Sequence, residues 1–152
     1  MGLNRKPNVI IHHLQQAVAV LQVADGLMID VQLRSAPGAS AFAGVGYLHA
    51  LGEEAGHEVL IDCHDDAGLV MAALRAGCRL LVFNGPDETY QRLADMAAYH
   101  GATLDHETKD ISTCLALSPN DDAGTIRDRL TSFASNERLE KAPPGKKPHT
   151  IG

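Results

Sequence analysis

Residues 56–84 read GHEVLIDCHDDAGLVMAALRAGCRLLVFN, and this stretch decides the fold. Two apolar runs, VLID and LLVF, flank an alanine- and leucine-rich segment that suits a helix. Gly56 and Gly77 each stand just before an apolar run, where a helix commonly ends on a left-handed residue that glycine adopts without strain. The stretch therefore predicts a strand, a helix and a second strand parallel to the first.

The same pattern extends in both directions along the chain. Gly26 and Gly101 also follow helix-like runs and precede extended apolar runs. The predicted strands are 9–12, 28–33, 58–62, 79–83 and 103–106, and the predicted helices are 14–24, 46–55, 67–76 and 88–100. The expected core consists of Ile29, Val31, Leu60, Ile61, Leu81 and Val82, which lie in β-branched or apolar runs.

Strands that alternate with helices of about 10–15 residues predict an α/β fold. We expect a three-layer sandwich with a four- or five-stranded, mostly parallel sheet, helices on both faces and a C-terminal helix. The segment Ser118–Asp121 resembles a helix start, and Ile126, Leu130 and Phe133 mark the helix that follows. Residues 1–135 are expected to form one domain, and residues 136–152 a flexible basic tail.

Charge and composition exclude some partners. The chain carries 13 Lys and Arg against 19 Asp and Glu, a net charge of −6, which argues against nucleic acid as a partner. No apolar run reaches the roughly 18 residues of a membrane span, so no membrane partner is expected. The three cysteines contain no CxxC pair and the N-terminus lacks a secretory apolar region, which together predict reduced thiols and a cytoplasmic location.

Polar residues follow each predicted strand, at the edge where open parallel sheets bind ligands. The densest cluster is Asp62–Asp66, which joins carboxylates, a thiol and an imidazole. If the protein is an enzyme, Asp62, His64 and His12 are the candidates for acid, base or ligand. Asp65 or Asp66 has a simpler role as the N-cap of the next helix. No sharp metal-binding spacing is present, and no metal or cofactor is predicted.

The segment Arg34–Gly46, RSAPGASAFAGVG, leads from a strand into a helix, as an anion-binding loop does. The predicted ligand-binding residues are Ser35, Gly38, Ser40 and Gly44 of this loop, together with Asn84 after the fourth strand. The phosphate-loop and dinucleotide fingerprints are both absent, so a plain connecting loop is the alternative interpretation.

Three stretches between Ser35 and Leu104 carry a resemblance: SAPGASAFAGVGYLHAL, VLIDCHDDAGLVMAALRAG and LLVFNGPDE. Together they resemble a small uncharacterised bacterial α/β family with no assigned activity. The resemblance covers about half of the chain and implies no catalytic residue. The phrase ALRAGCRLLVFNG is also similar to one unit of a (β/α)₈ barrel, but 152 residues fall short of the roughly 250 that such a barrel needs.

The sequence predicts a domain that binds a small anionic ligand at the carboxyl ends of its strands. An enzyme of unknown reaction is one alternative, and a structural or interaction protein without a pocket is the other. A homodimer is also expected, because helices 14–24 and 67–76 carry apolar residues on more than one face. Alternatively, residues 111–135 fold back and cover one of these helices.

Overall fold

The computed structural model describes residues 6–106 and 114–140. It shows an α/β fold with a parallel sheet and a C-terminal helix, which confirms the predicted class. The elements are β1 (Asn8–Ile11), α1 (Leu14–Leu27), β2 (Gln32–Ser35), α2 (Ala39–Phe42), α3 (Val45–Ala55), β3 (Val59–Asp62), α4 (Ala67–Ala76), β4 (Leu80–Val82), α5 (Asp87–Tyr99), β5 (Thr103–Asp105), β6 (Leu115–Ala116) and α6 (Ala123–Glu140).

In the described ranges, the sheet has six strands in the order β5-β4-β3-β2-β1-β6, and every pair is parallel. This is one strand more than the upper limit predicted from the sequence. The additional strand, β6, contains two residues, which is too short for an alternating pattern to show. Because all strands run in the same direction, their carboxyl ends lie along one edge of the sheet.

The five long helices contact one another in a single row, in the order α6, α1, α3, α4, α5. Right-handed crossovers produce such a row when each new strand is added on the same side of the last. In the described ranges, these helices form one core cluster with the strand residues Val9, Leu33, Val59 and Leu81. The alternate strand residues Ile10, Leu60 and Val82 are also buried, so both faces of the central strands are covered.

Five of the six predicted core residues are buried, and Ile29 is half-buried against the same core. The difference arises at Gly26, which does not end α1 as expected. The helix continues to Leu27 because Val23 and Ala24 pack into the core, and this packing outweighs the roughly 1 kcal/mol that glycine costs inside a helix. Met28 then takes the left-handed cap conformation, and β2 starts four residues later than predicted.

The C-terminal helix begins at Ala123, later than the predicted start. Residues Ser118 and Asp121 form a turn, in which the Asp121 amide donates to the Ser118 carbonyl. Asp122 then caps the helix by accepting from the Thr125 amide at 2.9 Å. The helix continues to Glu140, five residues past the predicted domain boundary, and the rest of the predicted tail, residues 141–152, lies outside the described residues.

Candidate functional site

Asp62, the last residue of β3, connects four other residues at the carboxyl edge. Its Oδ2 accepts a hydrogen bond from Arg34 Nη2 at 2.9 Å, and its Oδ1 accepts from the His64 amide at 3.0 Å. Its own amide donates to Ser35 Oγ at 3.0 Å, and its carbonyl accepts from Ser40 Oγ at 2.8 Å. Asp62 therefore fixes the end of β2, the short helix α2 and the loop after β3 relative to one another.

The Arg34–Asp62 ion pair is almost fully buried, with exposed fractions of 1% and 2% for the two residues. Such a pair adds little net stability, since removing two charges from water offsets much of their attraction. Its effect here is geometric, because it holds the Asp62 carboxylate where Oδ1 meets the His64 amide. Sequence analysis missed Arg34, although a cation and a carboxylate ending successive strands of a parallel sheet were a usable signal.

His64 adopts a left-handed backbone conformation with φ at 53°, which is uncommon for a residue other than glycine. Its amide is held by Asp62 and its carbonyl accepts from the Asn84 amide at 2.6 Å, so both sides of the residue are fixed. The side chain is exposed, and the backbone conformation costs about 1–2 kcal/mol. The fold thus maintains a strained residue with an exposed side chain at the edge where ligands bind such sheets.

Of Asp65 and Asp66, the two residues predicted as the helix cap, Asp66 takes that role. It is the N-cap of α4, and its Oδ1 accepts from the Leu69 amide at 3.2 Å. Asp65 is exposed next to it, between His64 and the cap. The exposed part of this loop therefore presents one imidazole and one carboxylate that the helix cap does not use.

His12 and His13 join β1 to the segment that follows β6. The His12 Nε2 donates to the Leu117 carbonyl at 2.7 Å. The His13 Nδ1 accepts from the Gln16 amide at 3.4 Å, which caps α1, and its Nε2 donates to the Pro119 carbonyl at 3.2 Å. Both rings are thus in contact with the backbone, and they connect the carboxyl end of β1 to the chain leading into α6.

The structure brings some of the predicted catalytic residues together and keeps one apart. His64 and Asp62 share a hydrogen bond, but Asp62 is buried and committed to Arg34. His12 follows β1, and β2 lies between β1 and β3, so the His12 backbone is about 10 Å from that of Asp62. An enzyme at this edge would therefore depend on the exposed His64.

The predicted ligand-binding residues are also distributed. The hydroxyls of Ser35 and Ser40 are buried and bonded to Asp62, so they position the loop. Gly38 is the exposed N-cap of α2, with φ at 80°. Gly44 is the N-cap of α3, next to Val45, whose carbonyl contacts the Cys78 thiol at 3.9 Å. Asn84 lies beside His64 through the main-chain bond described above.

The thiol of Cys63, directly after Asp62, is not available for chemistry at neutral pH. Burial raises its pKa to about 12, with a further contribution from the Asp62 carboxylate. Among the described residues, Cys63 and Cys78 are buried and form no disulfide. Within the two described ranges, no three His, Cys, Asp or Glu side chains are grouped so as to hold a metal ion.

Comparison with protein-family models and with curated proteins finds no match for this chain. Among the described residues, none of the helices has the length and apolar character needed to cross a membrane. The functional inference therefore depends on the geometry of the carboxyl edge.

Proposed function

We propose that the protein binds a small molecule with an anionic group at the carboxyl ends of β2, β3 and β4, beside His64. The observation that carries this proposal is the strained and exposed His64, which the buried Asp62 and the Asn84 amide hold from both sides. Strained residues concentrate at functional sites because a structure that serves stability alone relaxes them. The location is also the one that open parallel sheets use for ligands.

The anionic character of the ligand is supported by the groups around His64. Helix α4 begins at Ala67, so its first amides have no carbonyl partner within the helix, and its positive end points toward this edge. The segment 36–44 contains no acidic residue. Asp65 and the helix cap Asp66 are the opposing charges, because exposed carboxylates next to the site weaken the binding of an anion.

Two substitutions test the site and the sign of its ligand. Thermal shift assays with phosphate and sulfate should show saturable stabilisation of the wild-type protein, since a ligand that binds only the folded state raises its stability. The Asp65→Asn variant should bind the anion more tightly, and His64→Gly more weakly. Weaker anion binding by Asp65→Asn, or unchanged binding by His64→Gly, would contradict the proposal. Glu88→Gln, at an exposed carboxylate on α5, serves as the charge control.

The interaction-protein alternative has one observation in its favour. Phe42, on α2, is 96% exposed, and Tyr47 at the start of α3 is also exposed. We therefore keep the homodimer as a proposal, although the two helices that suggested it have neighbours within the chain: α6 packs on α1, and α4 lies between α3 and α5. Sedimentation should show a dimer that Phe42→Ser dissociates; a monomer of 16.2 kDa at all concentrations would exclude it.

A cytoplasmic location also remains a proposal, and the buried thiols of Cys63 and Cys78, which form no disulfide, support it, since reducing compartments keep thiols unpaired. Fractionation of cells that produce the full chain tests it directly. Recovery of the protein with the cytoplasmic marker is the expected result, and recovery with secreted proteins would contradict the proposal.

A further inference from the structure

We propose a second binding site, for a small alkylammonium ion, at the opposite end of the sheet from His64. A cavity of about 270 Å³ lies between α3 and the amino end of β3. Its floor is formed by buried apolar side chains, Leu48, Val59 and Ile61. Its rim is formed by more exposed polar residues, which are His49, Glu53, His57 and Glu58. An apolar floor beneath a polar rim fits a ligand with a short hydrocarbon chain and one polar group.

Three hydrogen-bond donors at the rim are already used by the protein. The His57 amide donates to the Gly52 carbonyl at 3.0 Å, and the His57 Nδ1 donates to the Glu58 carbonyl at 2.9 Å. The Cys78 thiol contacts the Val45 carbonyl at 3.9 Å. The rim is therefore suited to a ligand that donates hydrogen bonds.

The charge of the rim favours a cation. Glu53 and Glu58 contribute two carboxylates, and the nearest side-chain partner of the first is His49 Nε2 at 3.5 Å from Glu53 Oε2. Glu58 Oε2 accepts from a neutral main-chain donor, the Arg79 amide, at 3.3 Å. Burial is the largest cause that raises the pKa of the Cys78 thiol, and the negative charge of Glu58 is the second. The Glu58 carboxylate therefore lies close enough to this cavity residue to act on it electrostatically.

Gly52 explains how the cavity wall is built. A Cβ at this position would lie 2.9 Å from the His57 carbonyl oxygen and 3.3 Å from Val59 Cγ2, so only glycine lets α3 approach β3 this closely. The short distance between α3 and β3 brings the carboxylates of Glu53, on α3, and Glu58, just before β3, to the same rim. The described side chains at this rim do not form a group that could hold a metal ion, which leaves an organic cation as the ligand class.

The test uses the full chain and three probes of similar size: n-butylamine, n-butanol and butyrate. Calorimetry and thermal shift at neutral pH should show saturable binding of n-butylamine, and neither the alcohol nor the carboxylate should match it. Glu58→Gln should weaken n-butylamine binding about tenfold or more, since a charge-assisted hydrogen bond is lost. The variant should fold, because the glutamine amide oxygen can still accept from the Arg79 amide.

Two further variants keep the result interpretable. Glu53→Gln changes an exposed rim residue and should also weaken binding, while Glu54→Gln, on the same helix but outside the cavity lining, should not. Phosphate binding at the carboxyl edge should survive Glu58→Gln, which separates the two sites. The proposal would be overturned if all three probes bind equally, or if n-butylamine shows no saturable binding. It would also be overturned if Zn²⁺ binds in place of n-butylamine and Glu58→Gln abolishes that binding.

Discussion

Replacing His64 by glycine separates the stability of the protein from its function. The two main-chain bonds of this residue, to Asp62 Oδ1 and from the Asn84 amide, do not depend on its side chain. At φ near 53° a residue with a Cβ costs about 1–2 kcal/mol, whereas glycine is unstrained there. Glycine also loses more conformational freedom on folding, which reduces the gain in stability by about 0.5–1 kcal/mol. The net expectation is that His64→Gly is about 0–1.5 kcal/mol more stable than wild type.

The matched variant His64→Ala keeps the strain and removes the ring, so it should unfold about 1 kcal/mol more easily than His64→Gly. For a domain of this size, that difference corresponds to roughly 2–4 °C in Tm. Urea unfolding followed by circular dichroism measures the free energies. Met28, the other described non-glycine residue with a positive φ, gives an internal control, because Met28→Gly should show the same gain over Met28→Ala. If His64→Ala is as stable as His64→Gly while the Met28 pair differs, the strain assigned to His64 is refuted.

Four further predictions follow from the packing. Gly52→Ala should lower the free energy of unfolding by about 1–3 kcal/mol, because its Cβ would meet the His57 carbonyl; an unchanged urea midpoint would contradict this. Asp62→Ala should cost about 3–5 kcal/mol, since the buried Arg34 guanidinium and the His64 amide both lose the Asp62 carboxylate, whereas Asp66→Ala should cost only about 1 kcal/mol as the loss of a cap. Cys63 and Cys78, with pKa values raised by burial to about 12 and 11, should react far more slowly with a thiol reagent at pH 8 in the native than in the unfolded protein. Because these thiols ionise near pH 9 when unfolded, the stability they contribute is complete below pH 9 and is lost as the pH rises toward 11–12; urea midpoints that stay constant over that interval would contradict the assignment.

The parallel α/β class was predictable because the buried strands are nearly continuous apolar runs and the helices between them are bounded by glycine. Helix α4 was predicted with its observed bounds, since Asp66 and Gly77 supply both ends. The end of α1 was wrongly predicted at Gly26. The helix continues to Leu27 and its cap is Met28, because the helical face packed on the core extends past the glycine. Glycine inside a helix costs about 1 kcal/mol, and the packing of α1 on the core stabilises the helix by more than this amount.

The candidate site was predictable in its location and less so in its details. Parallel strands guarantee that Asp62 and Asn84 share an edge, so the cluster could be found from the sequence. The burial of Arg34 and the left-handed conformation of His64 depend on contacts between residues far apart in the chain, which no local pattern contains. The cavity beside Gly52 depends on how closely α3 approaches β3, and this distance also arises only in the folded protein.

Amide chemical shifts recorded during a phosphate titration test the central claim most directly. If the carboxyl edge binds an anion, the largest saturable changes should fall on His64, Asn84 and the first residues of α4, and they should be absent in His64→Gly. Residues around the cavity at the amino end of β3 should not respond. Changes that are linear with phosphate concentration, or that concentrate on residues away from this edge, would contradict a ligand site beside His64.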